Sequence, residues 1–466
     1  MNHPEETAWL PELTYAGGRF QSGLALLCDQ DGLIRSLAAD YNLQASTRLQ
    51  NRAVLPGLVN AHSHAFQRVI RGRTEHRTHN STDSFWTWRE MMYSAAMRLT
   101  PEDIYDASRM AFLEMALSGI TAVGEFHYIH NQSDGTPYDD PNMLALQVVR
   151  AAGNVGLRIA LLRVAYARSG YQTEANAQQA RFIEKDPNVF LQNFAKLTSD
   201  VTTSDDMAWT GIAPHSVRAV PLDYLKEVIR LANEQRIPVH MHVAEQPAEV
   251  SSSIEEYGRS PVALLETEGL LSDLFTAVHA IHVTPKAAWM LGQSRAMVCA
   301  CPTTERNLGD GVVPIDEFIK QGVRVSLGTD SHVQIDLLED ARELEYHLRL
   351  QKMERAVLVG RDDDGHSALA ARLFNCASLN GAQSIGAPGG ELAAGRSADF
   401  FTVDLGDPSI AGASLDDLLS SIVFSLSRTA VKEVVVGGKM IVEDGRHPLQ
   451  EEIVERFTIL QKKLWA

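Results

Sequence analysis

The chain has 466 residues, 45% hydrophobic and 22% charged, which is ample for a large core; about 150 residues per domain would suggest three domains, although α/β barrels exceed that size. Its 42 Lys and Arg against 59 Asp and Glu give −17 with histidine neutral, which speaks against nucleic acid or an anionic membrane as partner but allows a small anion held by a few arginines. No run approaches about 18 apolar residues, MNHPEETAWL shows no signal peptide, and Cys28, Cys299, Cys301 and Cys376 are too sparse for a disulfide framework, so the cytoplasm is the expected location.

In chain order, residues 1–54 hold GLALLCDQDGLIRSL, a β-rich run broken by Gly and Asp as in hairpins. Residues 55–387 then alternate short apolar strand candidates with amphipathic, helix-like stretches. The strand candidates are VLPGLVNAHSH (54–64), TAVGEFHY (121–128), RIALLRVAY (158–166) and TGIAPHSV (210–217). They continue with PVHMHVAE (238–245), FTAVHAIH (275–282), AMVCACPTT (296–304) and VRVSLGTDSH (323–332). Between them, PEDIYDASRMAFLEMALSG and PLDYLKEVIRLANEQ carry apolar residues at helical spacing. Such alternation predicts a (β/α)8 TIM-type barrel, with catalytic groups at the C-terminal strand ends. An open doubly wound sheet would bring the first and eighth strands to one point less readily.

The polar stretch 71–98 is too long for an ordinary loop and is expected to fold over the site. Residues 388–466 contain GELAAGRSADFFTVDL and VKEVVVGGKMIVEDGRH, again hairpin-like. Neither terminus looks able to hold a core alone, so the two are expected to form one small composite β-sandwich-like domain.

The chemistry lies in the strand ends. Alternate residues of a strand share a face, so His62 and His64 in AHSH aim two imidazoles at one point. His242 from strand five and Asp330 from strand eight complete a ligand set suited to zinc or a similar divalent ion. Such an ion makes hydroxide available near neutral pH. Glu245, three residues after His242, is the candidate proton shuttle, Asp330 can take the water's proton, and His279 would polarise the substrate. On geometry alone His240 rivals His242, and His282 rivals His279. Cys299 and Cys301 form C-x-C but read as buried strand residues.

HVAE after strand five and GTDSH after strand eight resemble the amidohydrolase superfamily, in its mononuclear deaminase-type branch. The binuclear branch carries a bridging lysine at the end of strand four, where this chain has TGIAPHSVR. Within that branch, AHSHAFQR, FWTWREMMY, EFHYIH, APHSVR, HMHVAEQ, TERNLGDG and GTDSHV are similar to the formimidoylglutamate deiminase family, over nearly the whole chain. The resemblance implies one Zn2+ held by His62, His64, His242 and Asp330, with Glu245, His279 and Asp330 in the chemistry. It implies substrate contacts from Gln67, Arg89, Tyr128, His215 and Arg218, and a homodimer. Arg71, Arg73 or Arg77 could stand in for Arg89.

The implied reaction converts N-formimino-L-glutamate to N-formyl-L-glutamate and ammonia. Two separated guanidinium groups suit its two carboxylates. A deaminase of a purine or pterin ring is the alternative, and would need stacking residues and ring contacts instead. A catalytically silent scaffold barrel is a third reading, against which the intact ligand set speaks.

Overall fold

The computed structural model describes residues 7–39, 47–77, 84–173, 176–204, 207–360, 365 and 367–466. Eight parallel strands pair in chain order: β1 (Leu58–Ser63), β2 (Ile120–His127), β3 (Arg158–Ala165), β4 (Ala208–Pro214), β5 (Val239–Val243), β6 (Phe275–His279), β7 (Met297–Ala300) and β8 (Val325–Leu327). Nearly every strand residue is buried, because the inward face fills the barrel and the outward face packs under helices. Helices Pro101–Ala116 and Leu222–Gln235 occupy two of the stretches with helical spacing.

The ring closes beyond the end of β8. The Asp330 N–H donates to the His62 carbonyl (3.0 Å), and the His64 N–H donates to the Asp330 carbonyl (3.1 Å). Gly328 permits that approach, since a Cβ there would lie 2.6 Å from the Cβ of His62. Closure thus brings the first and eighth strands onto one point.

The apolar run 54–64 divides at Gly57, before β1. Strand Thr47–Pro56 belongs to a second sheet, parallel to Thr7–Ala16 on one side and antiparallel to Phe400–Asp404 on the other. Both termini therefore enter one mixed sheet, which Leu24–Cys28, Ile34–Ala39, Val431–Val436 and Lys439–Val442 extend. It has its own small core, where Trp9 meets Phe400 edge-on at 5.2 Å.

The C-terminal region is less β-rich than its Gly-broken runs suggest. Leu418–Ser425 and Gln450–Trp465 are helices. The second buries Ile453, Phe457, Leu460 and Leu464, a helical spacing, and seats on Pro101–Ala116 of the barrel, with Arg109–Glu452 and Lys463–Asp103 ion pairs (2.8 and 2.6 Å). No helix among the described residues is long and apolar enough to cross a membrane.

One buried ion pair braces the barrel wall behind the cleft. Arg163 on β3 is fully buried and forks onto Glu184 at 2.5 and 3.0 Å. Burial alone would raise the Glu184 pKa, but His130 and Arg163 outweigh it and pull it down to about 2. A carboxylate depressed on folding stabilises above its unfolded value of about 4.3 and loses that contribution as pH falls toward the folded value. Glu184→Gln should therefore cost about 3–5 kcal/mol in urea unfolding at pH 7. The gap to wild type should narrow as pH falls from about 4 toward 2; a gap that stays constant would show that the charge is not its source.

Candidate active site

The end of β1 points two imidazoles into the barrel mouth. His242 at the end of β5 brings its Nε2 to 3.2 Å from Nε2 of His62. Asp330 Oδ1 lies 3.3 Å from His64 Nε2 and 3.6 Å from His62 Nε2. Tetrahedral bonds of about 2.05 Å would separate ligand atoms by about 3.3 Å, close to these spacings.

Hydrogen bonds from behind set the rings. His64 Nδ1 donates to the Phe126 carbonyl (2.9 Å) and His242 Nδ1 to the His215 carbonyl (3.2 Å). A carbonyl only accepts, so each neutral ring keeps an Nε2 lone pair facing the cluster. Burial, then neighbouring imidazoles, push His62 far below the usual histidine range, and His242 likewise; burial lowers His64 against the pull of Asp330. Three neutral imidazoles and a carboxylate form a donor set able to hold one divalent cation.

The rim of the barrel turns abruptly. Ala244 (φ 53°), His279 (69°), Ala280 (50°) and Asp330 (44°) are non-glycine residues in the left-handed region, each at a cost of about 1–3 kcal/mol. The turns aim Glu245, His279 and Asp330 at one another: His279 Nε2 is 3.7 Å from Glu245 Oε1 and 3.8 Å from Asp330 Oδ2. Burial raises the Glu245 pKa, which favours a carboxyl that carries a proton. Burial works against charge on His279, but Glu245, the hydrogen bond to Glu305 and Asp330 outweigh it and raise its pKa. The Glu249 carboxylate accepts the N–H groups of Ala244 and Glu245 (3.2 Å each), clamping the turn behind Glu245.

Above the cluster lies a cleft whose lining includes Gln67, Arg89, Tyr128, His215 and Arg218, with Glu245, His279 and Asp330 at its floor. Gln67 donates through Nε2 to the Tyr128 hydroxyl (2.9 Å). Arg218 gives Nη1 to the Ser169 carbonyl (2.7 Å). Arg89 arrives on helix Phe85–Arg98, which supplies one wall of the cleft; residues 78–83 of the stretch expected to cover the site lie outside the described residues. Its guanidinium stacks over Trp86 (4.3 Å), and Nη1 is buried with no partner among the described residues.

The structure separates the pairs that spacing left open. His240 is bonded to the Ser384 carbonyl (2.9 Å) and His282 to the Asp310 carbonyl (2.9 Å), so neither joins the cluster. Arg71 pairs with Glu114 (2.7 Å), Arg73 lies over Trp465 (4.6 Å), and neither these nor Arg77 line the cleft.

Two carboxylates beside the site, Glu249 and Glu305, were not singled out by the sequence, whereas Glu125 stands among the polar residues expected at the strand ends, without a role of its own. Glu125, pushed up to about 8 by burial, accepts from Ser63 Oγ (2.5 Å) and the Ala65 N–H (2.7 Å), bracing the His62–His64 segment. Glu125 and Glu305 do fall within EFHYIH and TERNLGDG, two stretches already distinctive.

This barrel, with histidines and an aspartate at strands one, five, six and eight, is that of a hydrolase with a candidate metal site, and residues 53–441 match the amidohydrolase family. The chain belongs to that family. It is 37% identical to formimidoylglutamate deiminase of Pseudomonas aeruginosa over 97% of both chains. It is 28% identical to 5-methylthioadenosine/S-adenosylhomocysteine deaminase of Natronomonas pharaonis, over 87% of this chain and 84% of that one. The crystal structure of an amidohydrolase from Brucella melitensis superposes with a TM-score of 0.90 at 33% identity, covering 99% of this chain and 100% of the other.

Proposed function

We propose that the chain hydrolyses N-formimino-L-glutamate to N-formyl-L-glutamate and ammonia. The observation that carries this reading is a pair of half-buried guanidinium groups, Arg89 and Arg218, in one cleft above the histidine cluster. Burial lowers the Arg89 pKa, whereas at Arg218 burial is outweighed by Tyr166 and Tyr93, which raise it; a dicarboxylate entering between these two cations forms strong charge-assisted bonds. A net charge of −17 is no obstacle when the anion meets fixed local cations.

His62, His64, His242 and Asp330 would hold the ion. When bound, it supplies a water that ionises near neutral pH and polarises the reacting centre. Asp330 accepts the proton lost by the attacking water. Protonated Glu245 delivers a proton to the departing nitrogen and takes up the hydroxyl proton as the C–N bond breaks, so ammonia leaves and the formyl C=O remains. His279, between the two carboxylates, donates to the tetrahedral intermediate. Gln67, Tyr128 and His215 orient the formimino group and the chain of the substrate. Zinc as the ion, one per chain, a homodimer and a cytoplasmic location belong to the same reading. So does a division into a catalytic unit (55–387) and a small unit from residues 1–54 and 388–466.

The clamp is tested with Arg218→Met. A charge-assisted bond contributes roughly 1.5–3 kcal/mol, so kcat/KM for N-formimino-L-glutamate should fall about tenfold or more. The loss should largely vanish with the analogue lacking the carboxylate that Arg218 holds. If variant and wild type discriminate equally between the substrate and both singly decarboxylated analogues, the clamp is wrong.

A further inference from the structure

Glu305 is buried to 1% exposure behind His279, in the TERNLGDG stretch, and has no role in the chemistry above. It stands on helix Pro302–Leu308, directly after β7. Its Oε1 accepts the Cys301 N–H (2.9 Å) and lies 3.2 Å from Nδ1 of His279. His279 is thus approached from both ends, with Glu305 at Nδ1 and Glu245 and Asp330 at Nε2. The His242 ring lies nearly parallel to it, 12° off with centroids 5.5 Å apart.

An imidazole can turn over about its Cβ–Cγ bond, which puts Cδ2 where Nδ1 stood and Cε1 where Nε2 stood. A carboxylate fixed behind Nδ1 removes that freedom, because only Nδ1–H can donate to it. The Cys301 N–H fixes Glu305 in turn. The donor that faces the substrate is then always Nε2.

We propose that Glu305 is a positioning residue for the deimination: it holds His279 through Nδ1 so that Nε2 faces the reacting carbon. The inference rests on the role given above to His279. It also gives a second meaning to the approach of His279, Cys301 and Glu305 within 4.8 Å of one another. The three are held by hydrogen bonds, and no second cation is needed.

The test uses Glu305→Gln, His279→Gln and the double variant in the metal-loaded enzyme. Glu305→Gln should lower kcat by about 10–100-fold, the usual effect of removing a carboxylate behind a functional histidine, with KM changed by less than about threefold. Metal content should remain at the wild-type value. In the His279→Gln background, Glu305→Gln should cost less than about twofold, since its effect passes through the lost ring. A far-downfield Nδ1–H proton resonance of His279, coupled to 15N in histidine-labelled wild type, should vanish in Glu305→Gln. Unchanged kcat, losses that multiply in the double variant, or an unaltered resonance would each overturn the proposal. A drop by one metal per chain would do so too, and would make Glu305 a ligand. If the wild type does not act on N-formimino-L-glutamate, the substrate assignment fails on its own, and the resonance still judges Glu305.

Discussion

Glu245→Gln should keep the fold and the metal but lose deiminase activity by about 10²–10⁴-fold, the range of general acid–base catalysis. The substitution preserves shape and removes only the group that can carry a proton. Burial raises the Glu245 pKa, and two features hold the side chain in place: the left-handed turn at Ala244 aims it inward, and Glu249 secures both N–H groups of that turn. Rates would be compared at equal metal content, with circular dichroism as the fold control. Activity within a few-fold of wild type would move the proton transfer elsewhere, with Asp330 the neighbouring candidate at the same floor.

His62→Ala should abolish activity and sharply weaken the hold on the ion. His62 lies within 3.6 Å of both His242 Nε2 and Asp330 Oδ1, so removing it opens the centre of the ligand set. Elemental analysis of wild type should give one tightly bound divalent ion per chain, and of the variant much less. Full metal content with full activity in the variant would reject the ligand assignment. Two tightly bound ions in wild type would reject the mononuclear reading.

Much of this was legible before any coordinates, for physical reasons that differ by element. The barrel was readable because parallel strands buried on both faces must be nearly all apolar, as in RIALLRVA of β3. The cluster was readable because period two puts His62 and His64 on one face. The same rule left His240 level with His242; the resemblance favoured His242, and the Ser384 carbonyl, 144 residues away, takes up His240. The division of the run 54–64 was hidden for a related reason: Pro56–Gly57 joins two strands of equal apolarity in different sheets. The C-terminal helix was missed because the Gly-broken strands upstream dominated the reading of that region, although Ile453, Phe457, Leu460 and Leu464 mark a helical face. Glu249 and Glu305 stand behind other residues, holding the turn at Glu245 and the ring of His279, and nothing in their local sequence marks them for it. The two arginines of the cleft came from the resemblance, since spacing alone gives no reason to prefer Arg89 to Arg71.

The most direct measurement is ammonia release by the metal-loaded enzyme against a panel of N-formimino amino acids, guanine, adenosine and pterins. The account predicts that N-formimino-L-glutamate gives the highest kcat/KM, with N-formyl-L-glutamate and ammonia formed in equal amounts. Monocarboxylic formimino compounds should follow at least about tenfold lower. Turnover of a purine or pterin with N-formimino-L-glutamate inert would contradict it and assign the cleft to a ring.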